Sequence, residues 1–227
     1  MSNRNDIIDG SLAHSRSYGL IYTEVLGWID LGHAQGSDIR SLWGQMLRGE
    51  SQSAQTYDVT YKQSMVGLKR HLTIGKSITW RLRKGLSYQQ KQSIALTMMI
   101  TVARRFEALQ GSFPFNWATD SGFSGEDLVS DLLGFYRVMA CMSNVFYYLK
   151  PVSKEEALKR WDHYGKIGAW KNETFKPLLF PAPGSFPYGR PYFGHLPNFM
   201  KAIVPYNGWS SKDVSIIDAN RNVIHFK

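Results

Sequence analysis

Cysteine is nearly missing: Cys141 is the one thiol in 227 residues, so an internal disulfide is excluded and a paired-thiol metal or redox centre is argued against. Its neighbours Val138, Met139, Ala140 and Met142 are apolar, which points to a buried thiol rather than a nucleophile. Acids are scarce as well, 18 against 27 Lys and Arg, for a formal charge of +9. Long uncharged apolar runs are absent. The most apolar stretch, Leu128 to Leu149, carries Asp131 and Arg137, as a core helix does and a membrane span does not. The polar start, Met1 to Asp6, has no apolar signal core behind it, so no conventional export signal is expected. The chain has no phosphate-binding glycine loop, no GxSxG elbow and no HExxH pair, which argues against nucleotide enzymes, α/β-hydrolases and zincins.

What is present suits a globular protein: 43% hydrophobic and 20% charged residues. Aromatics, at 14%, either fill a core or stack on sugars and bases. A charge of +9 favours an anionic partner, whether nucleic acid, an acidic membrane surface or an anionic wall polymer. A solvated basic surface accounts for it equally well. No repeat or flexible linker divides the chain, so residues 1–227 are expected to form one domain.

The expected class is α+β: a mainly helical domain with a small antiparallel sheet and a long Pro/aromatic-rich loop. Residues Ser17 to Ala34 read as a helix interrupted by Gly27 and Gly32, and Ser37 caps a second helix through Leu47. Between Thr56 and Lys84, alternation (Tyr57, Val59, Tyr61; Ile78, Trp80, Leu82) predicts antiparallel strands with a basic outer face. Ser87 with Gln90 is a capping box, followed by Ile94, Met98, Val102, Phe106 and Leu109 at helical spacing. Ser124 with Asp127 opens a helix that Pro151 ends, and Ser153 with Glu156 opens another. From Thr174 to Pro205 seven prolines forbid regular structure, and Phe186, Tyr188, Tyr192 and Phe193 are candidates to line a groove. Val214 to Ile217 and Asn222 to Phe226 read as a closing hairpin.

Two places carry candidate chemistry. On a helix, Asp30 and His33 share a face, so the carboxylate either orients the imidazole as a general base, joins it on a divalent metal, or simply bonds to it structurally. The second is Asp120-Ser121-Gly122-Phe123-Ser124-Gly125-Glu126-Asp127. There Glu126 and Asp127 suit a helix N-terminus without any catalysis, yet would supply acids of differing pKa if they met His33. Asp120 to Phe123 lacks the glutamate of the Glu-Ser-x-Phe motif of lytic transglycosylases. His14 precedes the first expected helix and is within range of the same place, whereas His71, His163, His195 and His225 fall in no metal-ligand spacing.

Taken together, Gly19-Leu20-Ile21-Tyr22-Thr23 with Gly27-Trp28-Ile29-Asp30-Leu31-Gly32-His33, and Phe123-Ser124-Gly125-Glu126-Asp127-Leu128-Val129-Ser130-Asp131-Leu132-Leu133-Gly134, resemble an uncharacterised family of bacterial envelope proteins. Its pattern is Gly-Leu-Leu-Tyr-Thr, Gly-Phe-Ile-Asp-Leu-x-His and Phe-Ser-x-Glu-Asp-Leu-x-Ser-Asn-Leu-Leu-Gly. The resemblance implies that Asp30, His33, Glu126 and Asp127 form one site; Tyr22 from the same motif, and Tyr188 and Tyr192 from the proline-rich loop, are the candidate substrate contacts. Glu24 stands where the family often has cysteine, which weakens it as an essential acid. The family has no assigned reaction, so the resemblance gives a location and not a chemistry. With the charge of +9 and no thiol nucleophile, the leading expectation is an envelope-targeting hydrolase, a secreted antibacterial effector that cleaves peptidoglycan in the periplasm. A secretion-machine protein would deliver it in place of an export signal, and an immunity protein would neutralise it. Two other readings stay open: a non-catalytic binding protein in which Asp30 and His33 bridge helices, and a nucleic-acid-binding or nuclease toxin using the Lys62–Lys84 sheet.

Overall fold

In the computed structural model, which describes residues 2–66, 73–110, 124–140, 144–208, 212–218, 220, 223 and 224, helices and two sheets confirm the α+β class. The elements in chain order are β1 (Leu20–Thr23), β2 (Gly27–Asp30), α1 (Ser37–Glu50), β3 (Thr56–Val66), β4 (Thr73–Arg83), α2 (Tyr88–Gln110), α3 (Asp127–Met139), α4 (Val145–Leu149), α5 (Lys154–Tyr164), β5 (Leu178–Leu179), β6 (Tyr192–Phe193), β7 (Val214–Ile217) and β8 (Val223–Ile224). Cys141, His71, His225 and the segment Asp120 to Phe123 lie outside the described residues, as do the side chains of Phe106 and Leu109. No described helix is long and apolar enough to cross a membrane.

Contacts group the chain into two units, Met1–Gly36 with Asp120–Ala202, and Ser37–Thr119 with Ile203–Lys227. The first overturns the helix expected over Ser17 to Ala34. Those residues form the β1–β2 hairpin, in register from Leu20 opposite Asp30 to Thr23 opposite Gly27, followed by a 3-10 turn at His33–Gln35. All four residues of β1 are buried, so both faces of the strand are apolar and the alternation that betrays a strand is absent. Gly27 turns the hairpin at φ 74°, and a Cβ there would lie 2.1 Å from the Leu178 carbonyl oxygen. Thr23 closes the turn, its Oγ1 accepting from Leu26 N at 3.0 Å and donating to Gly27 O at 3.2 Å. The sheet continues from β2 to β5 in parallel and from β5 to β6 antiparallel. Its core gathers Ile7, Leu20, Tyr22, Trp28, Trp161 and Phe180.

The helix expected to run to Pro151 is two helices. α3 ends at Met139, and α4 starts after Asn144, whose carbonyl accepts from Tyr147 N at 3.1 Å. α5 opens as expected, Ser153 Oγ accepting from Glu156 N at 3.3 Å. The proline-rich stretch holds only β5, β6 and a 3-10 turn at Asn198–Lys201. It is pinned where the Tyr164 hydroxyl meets the carbonyls of Pro181 and Gly189, at 3.2 and 3.0 Å.

The second unit follows its sequence pattern closely. The capping box forms, with Ser87 N donating to Gln90 Oε1 at 2.9 Å and Gln90 N to Ser87 Oγ at 3.2 Å. β3 and β4 pair over their whole length, burying Tyr57, Val59, Tyr61, Trp80 and Leu82 on one side. β7 joins β4, and β8 joins β7 as the expected hairpin. The opposite side is less uniformly basic than the alternation suggests: Arg81 bonds Asp58 directly across the ladder at 2.8 Å, and Arg83 bonds Asp213 at 2.6 Å.

Candidate functional site

His33 and the start of α3 meet within the first unit, and glycine makes the approach possible. Gly36, at φ 63°, ends the 3-10 turn, and a Cβ on it would sit 2.4 Å from Gly134 O; a Cβ on Gly134 would sit 2.7 Å from His33 O. The turn therefore lies directly on α3. Each residue of this glycine pair stands three positions after a polar one, His33 and Asp131, so backbone contact at one level sets side-chain contact at the next.

His33 Nδ1 lies 2.8 Å from Asp131 Oδ1. Burial works against a proton on the ring, but the charge and hydrogen bond of Asp131, followed by the charges of Asp127 and Asp30, outweigh it and raise His33 to about 10. The ring is thus an imidazolium at neutral pH, donating to Asp131. Its side chain keeps 34% exposure against 11% for Asp131, so it remains open to solvent on one side. Asp131 is the residue that sequence reasoning missed. The signal was there, a carboxylate inside the most apolar helix, but it served only to argue against a membrane span.

Asp30 does not orient the ring, which corrects the expectation drawn from helical spacing. Because residues 20–30 are a hairpin, Asp30 sits at the end of β2, where its Oδ1 accepts from the backbone N–H of Gly32 at 2.7 Å and of His33 at 3.3 Å. It shapes the turn that carries His33. Its own N–H donates to Ser130 Oγ at 3.0 Å, tying β2 to α3.

Asp127 and Glu126 divide their roles by burial. Glu126, 1% exposed, has both carboxylate oxygens occupied, by Ser2 Oγ at 2.7 Å and by the hydroxyl of Ser124. It offers its charge rather than a free oxygen. Asp127 is partly buried and accepts from Ser124 N at 3.1 Å, half of the capping box read from the sequence. Burial first, then the charge of Glu126, raise Asp127 to about 7 against the opposing pull of His33. A carboxyl group that titrates near neutrality beside a fixed cation is equipped for proton transfer.

The remaining candidates scatter. Tyr22 is a core side chain, 1% exposed; its hydroxyl donates to Phe180 O at 2.9 Å and accepts from Phe180 N at 2.7 Å. Burial pushes it up to about 12, so it presents no surface to a substrate. Tyr188 and Tyr192 are 95% and 56% exposed on the proline-rich segment. Glu24 is paired with the buried Arg160 at 2.7 Å. His14 lies edge-on to Phe146, at 5.6 Å between ring centres. Among the described residues, no group of three or more His, Cys, Asp or Glu is placed to hold a metal ion.

No protein-family model matches this chain, and no curated protein or solved structure does either.

Proposed function

We propose that this protein is a hydrolase directed at the bacterial envelope, with peptidoglycan as substrate and an antibacterial effector as its biological form. The observation that carries the reading is Asp127, raised to about 7 next to the His33 imidazolium and within reach of solvent. Asp127 is the group to pass a proton to a leaving oxygen or take one from attacking water. His33, held charged by Asp131, stabilises negative charge as it develops. In the proton transfer itself Asp30 and Glu126 act indirectly, one through the turn and the other through its charge. The resemblance of the two motifs to envelope proteins supplies the target, and the net charge of +9 suits an anionic wall polymer. A carrier from a secretion machine and a neutralising immunity protein belong to the same proposal.

Release of soluble fragments from purified peptidoglycan, with and without divalent metal, tests the reading. Wild type releases fragments, and Asp127→Asn lowers the rate by about a hundredfold. Intact peptidoglycan under all conditions overturns it. The competing reading is a binding protein without catalysis, favoured by the stitching of β2 to α3 through Asp30 and Ser130. It requires wild type and Asp127→Asn to bind alike and neither to cut.

A further inference from the structure

Tyr18 is a large aromatic side chain left 79% exposed, and it stands beside the candidate site rather than apart from it. Leu31 N donates to Gly19 O at 2.9 Å, extending the β1–β2 hairpin past its strands and setting Tyr18 alongside Gly32. A Cβ on Gly32 would lie 3.0 Å from Asp30 Oδ1 and 3.4 Å from Tyr18 Cδ1. The ring and the carboxylate therefore flank a residue without a side chain, and His33 follows in the chain. The result is an open ledge: an aromatic ring at one side, a carboxylate across Gly32, and the part-exposed imidazolium next to it.

We infer that this ledge is a sugar subsite, with Tyr18 the platform on which a pyranose ring of the glycan strand stacks, so that the substrate is bound by its polysaccharide rather than by its peptide. A pyranose offers one face of C–H groups to an aromatic ring and a rim of hydroxyls to acceptors, and Tyr18 and Asp30 supply that combination. Addition of an extended peptide as a further strand would need a free edge on the β1–β2 hairpin, and the backbone positions named next are taken. Ile7 bridges Leu20 on the outer side of β1; on β2, Gly27 pairs with Leu178 and the N–H of Asp30 is taken by Ser130. A nucleic-acid strand could also stack on Tyr18, but Asp30 and Asp131 already outnumber the charge of His33, Asp127 adds to them as it ionises, and together they repel phosphate at this place. The inference rests on the proposed hydrolase reading for its choice of polymer.

Calorimetric titration of the full chain with a β-1,4-linked N-acetylglucosamine hexamer tests it, beside the peptidoglycan assay. Wild type binds the hexamer. Tyr18→Ala raises Kd about tenfold, while Tyr18→Phe and Tyr18→Trp stay within about twofold. The exposed ring carries little of the fold, and circular dichroism of each variant checks this. Equal binding by Tyr18→Ala and wild type overturns the inference. So does a wild type that ignores the hexamer, whether or not it binds a sugar-free stem peptide or a single-stranded oligonucleotide. Fragment release without hexamer affinity sinks the sugar subsite and leaves the hydrolase standing. Tyr18-dependent hexamer binding without fragment release does the reverse.

Discussion

The β3–β4 sheet of the second unit and the surroundings of His33 in the first place their charges in opposite ways. In the β3–β4 sheet, each arginine named above has its own acid, Asp58 for Arg81 and Asp213 for Arg83. Around His33, three carboxylates act on one imidazole, and a fourth, Glu126, is buried beside Asp127. The first arrangement is what a solvated surface settles into. The second raises the proton affinity of both His33 and Asp127 and leaves a carboxyl group poorly matched to its surroundings at neutral pH. Stability gains nothing from that mismatch, and proton transfer does. That contrast is what favours the first unit for the proposed site.

Four substitutions break or sharpen the contrast. Gly134→Val should cost most, about 3 kcal/mol in urea unfolding, because any Cβ there collides with His33 O and Gly36, both backbone. A loss under about 1 kcal/mol would mean that the turn can slide on α3, and that the His33–Asp131 geometry is not set by the glycine pair.

His33→Ala should cost about 2 kcal/mol at pH 6, since it leaves Asp131 buried without its cation. The sign with pH follows from the raised histidine. Its proton is held more tightly in the folded chain, at about 10, than at its ordinary 6.5, so the gain is complete below about 6.5 and disappears as the pH rises through about 10. Denaturation at pH 6 and pH 10 should show wild type approaching His33→Ala; a constant gap would show that folding does not raise the affinity of His33 for its proton.

Asp127→Asn should act the other way, gaining about 1 kcal/mol at pH 8 while slowing fragment release about a hundredfold. Asp127 in the fold titrates at about 7 against an ordinary 3.8, so its favourable contribution belongs to acid and is lost as the pH rises through about 7. The advantage of the variant therefore narrows as the pH falls toward 4, and a variant less stable than wild type at pH 8 would count against the mismatch. Asp58→Ala marks the lower end, at about 0.5 kcal/mol and less in high salt, as a part-exposed strand pair should. A loss as large as that of His33→Ala would erase the distinction between the units.

Legibility followed the same division. The β3–β4 strands, the Ser87 capping box and the closing hairpin were readable because each depends on spacing between near neighbours. β1 was misread as helix because strands buried on both faces lose their alternation, and a run of Leu, Ile, Tyr and Thr ahead of Gly27 fits either period. The error carried over to the site: with a helix assumed, Asp30 became the partner of His33, and Asp131 was not weighed for that role.

Composition and local pattern alone determined the α+β class, the capped helices and the paired strands of the second unit, and singled out His33 and Asp127 as candidates, since those rest on residue chemistry and short-range geometry. Which carboxylate holds the imidazole, which tyrosine is buried and which is exposed, and why two glycines had to meet were decided only by the tertiary structure. Those outcomes depend on backbones about a hundred positions apart coming within van der Waals contact, and no spacing along the chain encodes that distance.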